Sequence, residues 1–365
     1  MRAAFPWMGN IHIPLAALFR ALGAEPVVPP PPNAETVARG VRLAPEMMCI
    51  PFKITLGNFI RALELGADTL VYSNGSWSCR FGYYFRLHEA ILRDLGYRFR
   101  VVVLRGDELP LAFRSVIRLS QGRLSKALMR SIQAIRIGWL KSSLLDLVER
   151  WSRWYRPREA VAGTTTRTAA SLLARLDATD SAAEIARLRR TARQEFERIG
   201  IVPDRNPLRI RVIGESFCLL EPSVNLNLLE RLGTMGVWAD PFLTTHHWLG
   251  FHSLRLGDRR RQELLRPARR YWRYNVGGED ENAVAYMLDA ARKGYDGVLH
   301  LHPFGCMPGA VVGPTLQRIS REYDLPLLDL ALDEHTAEAG LYTRVEAFVG
   351  VLGKRRRNSK PCSPG

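Results

Sequence analysis

The sequence predicts an α/β fold in which two parallel-sheet domains are joined by a helical insertion. Short apolar segments alternate with amphipathic helical segments in residues 1–109, and the same alternation returns in residues 205–353. Such alternation is typical of a parallel sheet covered by helices. Residues 110–204 carry long helical patterns without strand signals. The chain has 365 residues, 47% of them hydrophobic, which is enough for two separate cores.

The N-terminal domain, residues 1–109, contains four predicted strands and three predicted helices. The strands are RAAFPW, PVV, ADTLVYS and FRVVVL, and the helices are IPLAALFRALGAE, LGNFIRALELGA and FGYYFRLHEAILRDLGY. The helices have apolar residues at helical spacing, whereas the strands are short runs bounded by turn residues. The four prolines at 29–32 predict a rigid turn, since the run is too short to link domains.

The rest of the chain divides into three further segments. Residues 110–204 are predicted to form a helical bridge, chiefly over LSKALMRSIQAIRIGWLKSSLLDLVERWSRWY and SAAEIARLRRTARQEFERIG. In the C-terminal domain the predicted strands are LRIRVIGES, VWADP, GYDGVLHLHP and LPLLDLAL, and the main helices are SVNLNLLERLGTMG, GAVVGPTLQRISREY and AGLYTRVEAFVGVL. Residues 354–365 are rich in basic and small residues, which predicts a disordered tail.

The charge and hydropathy of the chain exclude some classes of function. The net charge is +16, but only 6 of the 52 basic residues are lysines and the arginines are spread along most of the chain. This spread does not favour nucleic-acid binding, although the basic stretch 111–160 leaves open a docking face for an acidic partner. No apolar run is long enough for a membrane span, and the N-terminus lacks a signal-peptide core. We therefore expect a cytoplasmic protein that does not enter a membrane.

Three of the five cysteines occupy positions that suit a ligand site. Cys79 and Cys306 each follow a predicted strand and a turn and precede a helix, and Cys49 lies in a loop that leads into a helix. Ligands bind at the carboxyl edge of such sheets, and helix N-termini favour the thiolate form and an anionic metal centre. No CxxC pair is present. We expect all the cysteines to be thiols, with Cys218 packed apart from the site and Cys362 exposed in the tail.

Four stretches resemble the family of the 2-hydroxyacyl-CoA dehydratase subunits and the CoA-dehydratase activase-related proteins. They are PEMMCIPFKITLGNFIRALELGADTL, CRFGYY, GVLHLHPFGCMPG and DEHTAEAGLYTRVEAF, and the likeness extends from the first strand to about residue 350. The motifs around Cys79 and Cys306 are the specific ones. The sequence departs from the family pattern where Glu279 and Asp280 follow Gly277-Gly278 and where Ser78 precedes Cys79. These departures bear on the activity and leave the presumed ligands in place.

The resemblance implies two flavodoxin- or Rossmann-like domains with an iron–sulfur cluster between them. By position, Cys49, Cys79 and Cys306 are the implied ligands of a 4Fe–4S cluster, or of a double-cubane cluster shared across a homo- or heterodimer. The resemblance also implies a partner, an actin-like activase that hydrolyses ATP and supplies single low-potential electrons. The implied substrate is an acyl-CoA that is dehydrated or reduced. The sequence leaves open whether the chain is itself catalytic or is an electron-transfer component.

Other side chains near the implied ligands are candidates for supporting roles. Lys53 and Arg80 are candidates for balancing the charge of a cluster. The candidates for holding or relaying protons are Glu46, Glu215, His300 and His302. Because His300 and His302 share one face of a strand, a second metal site there is a further hypothesis.

Two alternative functions remain open from the sequence. Tetrahedral thiolate sites suit zinc as well as iron, so the chain is alternatively a zinc-stabilised binding module without redox chemistry. The second alternative is a regulatory protein that binds a nucleotide at the sheet edge. The absence of a GxxxxGK[ST] motif counts against it.

Overall fold

The structure is a computed structural model, and it describes residues 1–73, 79–104, 124–250 and 259–358. It has two four-stranded parallel sheets, and the predicted α/β fold class is confirmed. The turn at 74–78, the end of the predicted N-terminal domain with the first part of the predicted insertion at 105–123, residues 251–258, and residues 359–365 with Cys362 lie outside the described residues.

The N-terminal domain is built on a sheet with the strand order β2-β1-β3-β4. Its elements are β1 Arg2–Ala4, α1 His12–Ala21, β2 Glu25–Pro26, α2 Ala34–Leu43, α3 Ile50–Glu64, β3 Thr69–Ser73, a 3₁₀ turn Arg80–Tyr83, α4 Tyr84–Asp94 and β4 Arg100–Leu104. The central strand β3 pairs along its whole length with β4, Thr69 opposite Arg100 and Ser73 opposite Leu104. Helix α2 begins where the side chain of Asn33 caps it, accepting the Thr36 N–H at 2.9 Å.

Three long helices connect the two sheets. They are α5 Leu124–Tyr155, α6 Thr164–Ala178 and α7 Ala182–Glu197. Their apolar faces pack together around buried residues such as Leu145, Leu172 and Phe196. Ile13 and Ala17 of α1 join this cluster, so the helical region packs directly on the N-terminal domain. In the described part of 110–204 the helical prediction therefore agrees with the structure.

The C-terminal domain repeats the topology of the first, with the strand order β6-β5-β7-β8. Its elements are β5 Leu208–Gly214, α8 Ser216–Leu220, α9 Pro222–Asn225, α10 Leu228–Thr234, β6 Val237–Pro241, α11 Thr245–Trp248, α12 Arg259–Ala268, α13 Asp280–Arg292, β7 Gly297–Pro303, α14 Met307–Glu322, β8 Leu327–Leu332 and α15 Glu338–Asn358. The order 2-1-3-4 in each sheet is that of flavodoxin-like folds, in which ligands bind outside the carboxyl ends of the strands.

One predicted helix and one predicted tail differ from the structure. The segment 223–236 forms two short helices, because Leu226 and Asn227 adopt left-handed backbone conformations between them. The expected disordered tail is helical at residues 354–358, since α15 continues to Asn358. Arg355 pairs with Asp324 at 2.6 Å, and Arg356 donates to the Pro207 carbonyl at 3.0 Å, so both bonds hold this last turn on the domain.

The two domains contact each other closely at the start of the chain. The Gly9 N–H donates to the Glu221 carboxylate at 2.6 Å. Gly9 has a φ of +55°, and a Cβ built there would lie 2.1 Å from the Leu220 carbonyl oxygen, so only glycine fits this contact. Ile50 and Ile54 of α3 join the core of the C-terminal domain. The carboxyl edges of the two sheets are thereby held against each other.

Among the helices in the described part of the chain, none combines the length and apolar composition that a membrane crossing needs.

Candidate functional site

Cys49 is the N-cap residue of α3, and Pro51 stands in the first turn of that helix. The thiol is buried, with only 8% of the residue exposed. Its sulfur lies 2.6 Å from the Tyr84 hydroxyl. Tyr84 in turn packs edge-on against Phe52, so an aromatic cluster under α3 fixes the position of the Cys49 loop.

Cys79 is the N-cap residue of the 3₁₀ turn Arg80–Tyr83, which runs directly into α4. The residue is partly exposed and the sulfur accepts the backbone N–H of Phe81. A short helical turn that begins directly after a cysteine presents such unpaired N–H groups, which stabilise negative charge on sulfur.

Cys306 is the N-cap residue of α14 and follows β7 through the turn Phe304-Gly305. The residue is 8% exposed, and its sulfur accepts the backbone N–H of Gly309. A Cβ at Gly309 would lie 2.7 Å from the Cβ of His302, so glycine lets the first turn of α14 approach the strand. Each of the three predicted cysteines therefore stands at a helix N-terminus.

Arg80 connects the loops that carry the three cysteines. It follows Cys79 directly, and its guanidinium donates to the carbonyl of Met47 at 3.1 Å and to the carbonyl of Gly305 at 2.8 Å. Met47 lies two residues before Cys49, and Gly305 lies immediately before Cys306. The planar fork of arginine suits two simultaneous acceptors. These bonds give Arg80 a contact role that the sequence did not indicate, and its predicted role in balancing the charge of a cluster stays a prediction.

A cavity of about 60 Å³ opens beside this junction at the carboxyl edge of the C-terminal sheet. It is lined by residues from both domains: Met8, Cys79, Phe81, Gly214, Glu215, Ser216, Phe217, Trp248, Gly278, Glu279, Asp280, Ala283, His300, Cys306, Pro308, Gly309 and Val312. Two of the three predicted ligands, Cys79 and Cys306, are in this lining, and Cys49 is not. Cys49 lies within electrostatic range of both other thiols.

The thiols are held in the neutral form, contrary to the expectation that helix N-termini lower their pKa. Burial raises the pKa of Cys79 to about 12, which outweighs the hydrogen bond from Phe81 and the positive charge of Arg80. Burial likewise raises the pKa of Cys49 and of Cys306, and the carboxylate of Glu215 adds to both shifts. Desolvation therefore dominates the helix-terminus effect in the metal-free chain. A metal ion that displaces the protons reverses this balance.

Cys218 differs from its prediction in one respect. It is a packed thiol as expected, fully buried in α8. It does not stand apart, because burial, Glu215 and the thiols of Cys306 and Cys49 all raise its pKa. The four described cysteines are free thiols, as predicted. The sequence does not indicate this proximity of Cys218 to the other thiols, because the segments around Cys218 and Cys306 are far apart along the chain and meet only in the fold.

Three carboxylates, those of Glu215, Glu279 and Asp280, also line the cavity. Glu215 caps α8 by accepting the Cys218 N–H at 3.0 Å, and burial raises its pKa. Glu279 is buried and accepts the hydroxyl of Ser216 at 2.6 Å. Asp280 accepts the indole N–H of Trp272 at 2.9 Å through one oxygen, while its other oxygen is buried without a partner among the described residues. Of these acids, only Glu215 was predicted as a proton carrier.

Two of the predicted supporting residues have other positions. Lys53 is buried and forms an ion pair with Glu334 in the loop after β8, so its charge is already balanced. Glu46 is exposed and is not in the cavity lining. The sequence could not reveal the Lys53 pairing, because the partners are 281 residues apart.

His300 and His302 meet Asp329 beside the cavity. His300 Nδ1 lies 2.9 Å and His302 Nε2 lies 3.1 Å from the same oxygen, Oδ1 of Asp329. Burial acts to raise the pKa of Asp329, but the hydrogen bonds from the two histidines hold it well below its usual range. The predicted common strand face of the two histidines is therefore present, and Asp329 is a partner that the sequence did not indicate.

The donor types at the junction are those of an iron–sulfur centre, whose ligands are spread over several metal ions, since no three of the described cysteines lie close enough together to hold a single ion. The junction offers three free thiols at helix N-termini, backbone N–H groups directed at sulfur, and a cation beside Cys79 and Cys49. Thiolate donors by themselves suit iron–sulfur clusters and zinc alike.

A comparison with models of protein families finds none that matches this chain, and no curated protein matches it either. The function is therefore inferred from the residues of this chain.

Proposed function

We propose that the chain is an iron–sulfur protein of the 2-hydroxyacyl-CoA dehydratase type, with Cys49, Cys79 and Cys306 as ligands of a 4Fe–4S cluster. The observation that carries the proposal is that three cysteines distant in sequence cap three helices whose loops Arg80 joins. The family resemblance of the motifs around these cysteines adds to it. A cluster bound by three thiolates supplies low-potential single electrons and leaves one iron open to a substrate oxygen.

The remaining residues have roles that suit such a centre. Arg80 lies within electrostatic range of Cys49 and Cys79 and offsets the negative charge of thiolates. Trp248 and Phe217 form apolar parts of the cavity wall and limit the entry of water. Glu215 is in the cavity lining, and burial raises its pKa, which favours the protonated form of this carboxyl group. A departing hydroxyl group takes such a proton when it leaves as water.

The proposed electron donor is an ATP-dependent activase that docks around the three cysteine loops. Exposed apolar side chains flank these loops, namely Met47, Tyr83, Phe304 and Met307. A surface with this composition at the mouth of a redox site favours protein docking. Phe304→Ser and Tyr83→Ser should slow reduction by the activase while reduction by dithionite is unchanged. Equal rates with both reductants would remove this surface from the proposal.

Anaerobic reconstitution with iron and sulfide tests the cluster. The natural chain should bind about four iron and four sulfide ions and absorb broadly in the visible region. Cys49→Ser, Cys79→Ser and Cys306→Ser should each lose most of the iron. Cys218→Ala is the matched control, because Cys218 is fully buried inside α8 and, unlike the three proposed ligands, is not an N-cap residue, and this variant should keep its iron.

The same experiment separates the zinc alternative. A chain that binds zinc through the same three cysteines but takes up neither iron nor sulfide on reconstitution is a zinc-stabilised module and not an iron–sulfur protein. A chain whose iron content is unaffected by all three serine substitutions has a different ligand set.

A further inference from the structure

A second group of metal-binding side chains lies at the carboxyl ends of β7 and β8. The parallel register of these strands places His300 opposite Asp329. His302 follows two residues later, so its side chain is on the same face of β7 as that of His300. The two imidazole rings are 4.8 Å apart between their centroids. Both histidines are buried, and Asp329 is about one-third exposed at the side chain.

Both ring nitrogens of His302 face oxygen atoms that only accept hydrogen bonds. Two hydrogen bonds from this ring need two N–H protons, one more than a neutral imidazole carries. His302 Nδ1 lies 3.1 Å from the Pro303 carbonyl, which only accepts, so Nδ1 is the protonated nitrogen. His302 Nε2 faces Asp329 Oδ1, which also only accepts. In the metal-free chain this second contact is a hydrogen bond only when His302 is doubly protonated. His300 Nδ1 and His302 Nε2 therefore converge on one carboxylate oxygen, Oδ1 of Asp329.

We infer that His300, His302 and Asp329 bind one divalent transition-metal ion. Two imidazole nitrogens and one carboxylate oxygen are the donors that zinc, iron(II) and cobalt(II) take in three-ligand sites. The bond from His302 Nδ1 to the Pro303 carbonyl is the kind of outer contact that orients a metal-binding histidine. This site contains no cysteine, so it is independent of the proposed cluster.

The three donor atoms lie near one another. One donor atom from each residue lies within 4.8 Å of the other two. Tetrahedral metal–ligand bonds of about 2.0–2.2 Å place ligand atoms about 3.4 Å apart, so the widest pair must close by roughly one to one and a half ångströms when the ion binds. The negative charge of Glu215 acts on His302 and favours a cation here.

Three protein donors leave a coordination position for water or a small anion. His300 is in the wall of the cavity that Cys79 and Cys306 also line. The ion would therefore face the same space as the thiols, and a small oxygen-donor ligand in that cavity could reach it.

Cobalt(II) binding tests the site. The test uses a full-length triple variant with Cys49→Ser, Cys79→Ser and Cys306→Ser, which lacks the three proposed thiolate ligands. This variant should bind about one Co²⁺ and should show no charge-transfer absorption from thiolate to cobalt. Asp329→Asn and His300→Gln in this background should weaken binding by roughly a hundredfold. His335→Gln is the matched control, since His335 is exposed in the neighbouring loop. It should bind cobalt as tightly as its parent.

A folded triple variant that binds no cobalt would overturn the inference, and so would equal affinity in Asp329→Asn and the parent. If circular dichroism shows that the triple variant does not fold, the natural chain is titrated with Mn²⁺, which avoids thiolate ligands. Electron paramagnetic resonance should then show bound Mn²⁺ that Asp329→Asn removes, and unchanged Mn²⁺ binding would overturn the inference. If the chain incorporates no sulfide in the reconstitution experiment, that result counts against the proposed iron–sulfur cluster and does not bear on the site of His300, His302 and Asp329.

Discussion

The guanidinium of Arg80 donates a 2.8 Å hydrogen bond to the carbonyl oxygen of Gly305, and this bond crosses from the N-terminal to the C-terminal domain. A second bond from the same side chain reaches the Met47 carbonyl at 3.1 Å. One side chain therefore joins three loops, each of which carries a cysteine. The carbonyls of Met47 and Gly305 lie outside helices and strands, where a backbone carbonyl has no regular hydrogen-bond donor. The guanidinium of Arg80 supplies the donor that each of them needs.

Arg80→Lys should weaken metal binding at the cysteines while the positive charge is kept. An ammonium group cannot span two carbonyls that a planar fork reaches together, so the loops lose one connection. We expect the affinity for iron or zinc to fall about tenfold to a hundredfold, measured by competition with a chelator. Arg98→Lys, at an exposed position in the same domain, should bind the metal as the natural chain does. Equal affinity in the Arg80 and Arg98 variants would contradict a role for this connection.

The two parallel sheets could be predicted from the sequence, because each strand is a short apolar run that is recognisable without knowledge of the rest of the fold. TLVYS is a β-branched and aromatic run, and it forms β3 over Thr69–Ser73. GVLHLHP is buried along its whole length in β7, which a nearly continuous apolar run predicts. The positions of Cys79 and Cys306 followed from these strands, since a residue after a parallel strand must lie at the carboxyl edge.

The side-chain partners could not be predicted, because they depend on contacts between distant segments. Lys53 forms an ion pair with Glu334, which lies in a distant segment. Asp329 lies opposite His300 only because of the register between β7 and β8. The break at Leu226 was also missed, since a leucine with a φ of +53° contradicts its local preference and reflects tertiary packing.

Breaking the ion pair between Lys53 and Glu334 should destabilise the contact between the domains. Lys53 is 8% exposed, so Glu334→Gln leaves a buried ammonium group without its counter-charge. The free energy of unfolding in urea should fall by about 3 kcal/mol, and adding Lys53→Met should restore most of it.

The exposed pair Arg93–Glu89 on α4 provides the control for this measurement. Glu89→Gln should change the free energy of unfolding by less than about 0.5 kcal/mol. If Glu334→Gln lowers the free energy of unfolding by no more than Glu89→Gln does, the ion pair of Lys53 and Glu334 stabilises the protein no more than a surface ion pair.

Acid should destabilise the N-terminal domain through His88. This histidine is fully buried under Cys49's helix, donates to the Phe52 carbonyl at 3.1 Å, and burial lowers its pKa to about 3. Because the folded pKa is below the unfolded value of about 6.5, the stabilisation is present above pH 6.5 and is lost as the pH falls. Between pH 7 and pH 5 the loss amounts to about 2 kcal/mol.

His88→Phe keeps an aromatic ring among Phe52, Phe59, Tyr72 and Tyr84 but cannot be protonated. Urea unfolding at pH 7 and pH 5 should show that its stability falls by about 2 kcal/mol less than that of the natural chain. The exposed His335→Ala variant should retain the natural pH dependence. A pH dependence unchanged by His88→Phe would show that another group causes the acid effect.

Metal binding at the cysteines should release about three protons. Burial raises the pKa of Cys79 to about 12 and also raises that of Cys49 and Cys306, so all three are thiols at pH 7. A metal binds thiolates, so each bond formed displaces one proton into solution. The measurement is made on the Asp329→Asn variant, because this substitution removes the site of His300, His302 and Asp329. A pH indicator in weak buffer then counts the protons released per Zn²⁺ bound.

Each of Cys49→Ser, Cys79→Ser and Cys306→Ser should lower the count by about one. The apparent zinc affinity should rise roughly a thousandfold per pH unit near neutrality, because three protons are lost together. The site of His300, His302 and Asp329, tested alone in the triple serine variant, should release fewer protons than the cysteine site, because it contains no thiol to ionise. If the cysteine site releases one proton or none, the thiols are already ionised in the metal-free chain. The helix N-termini and Arg80 would then outweigh burial, as the sequence alone predicted.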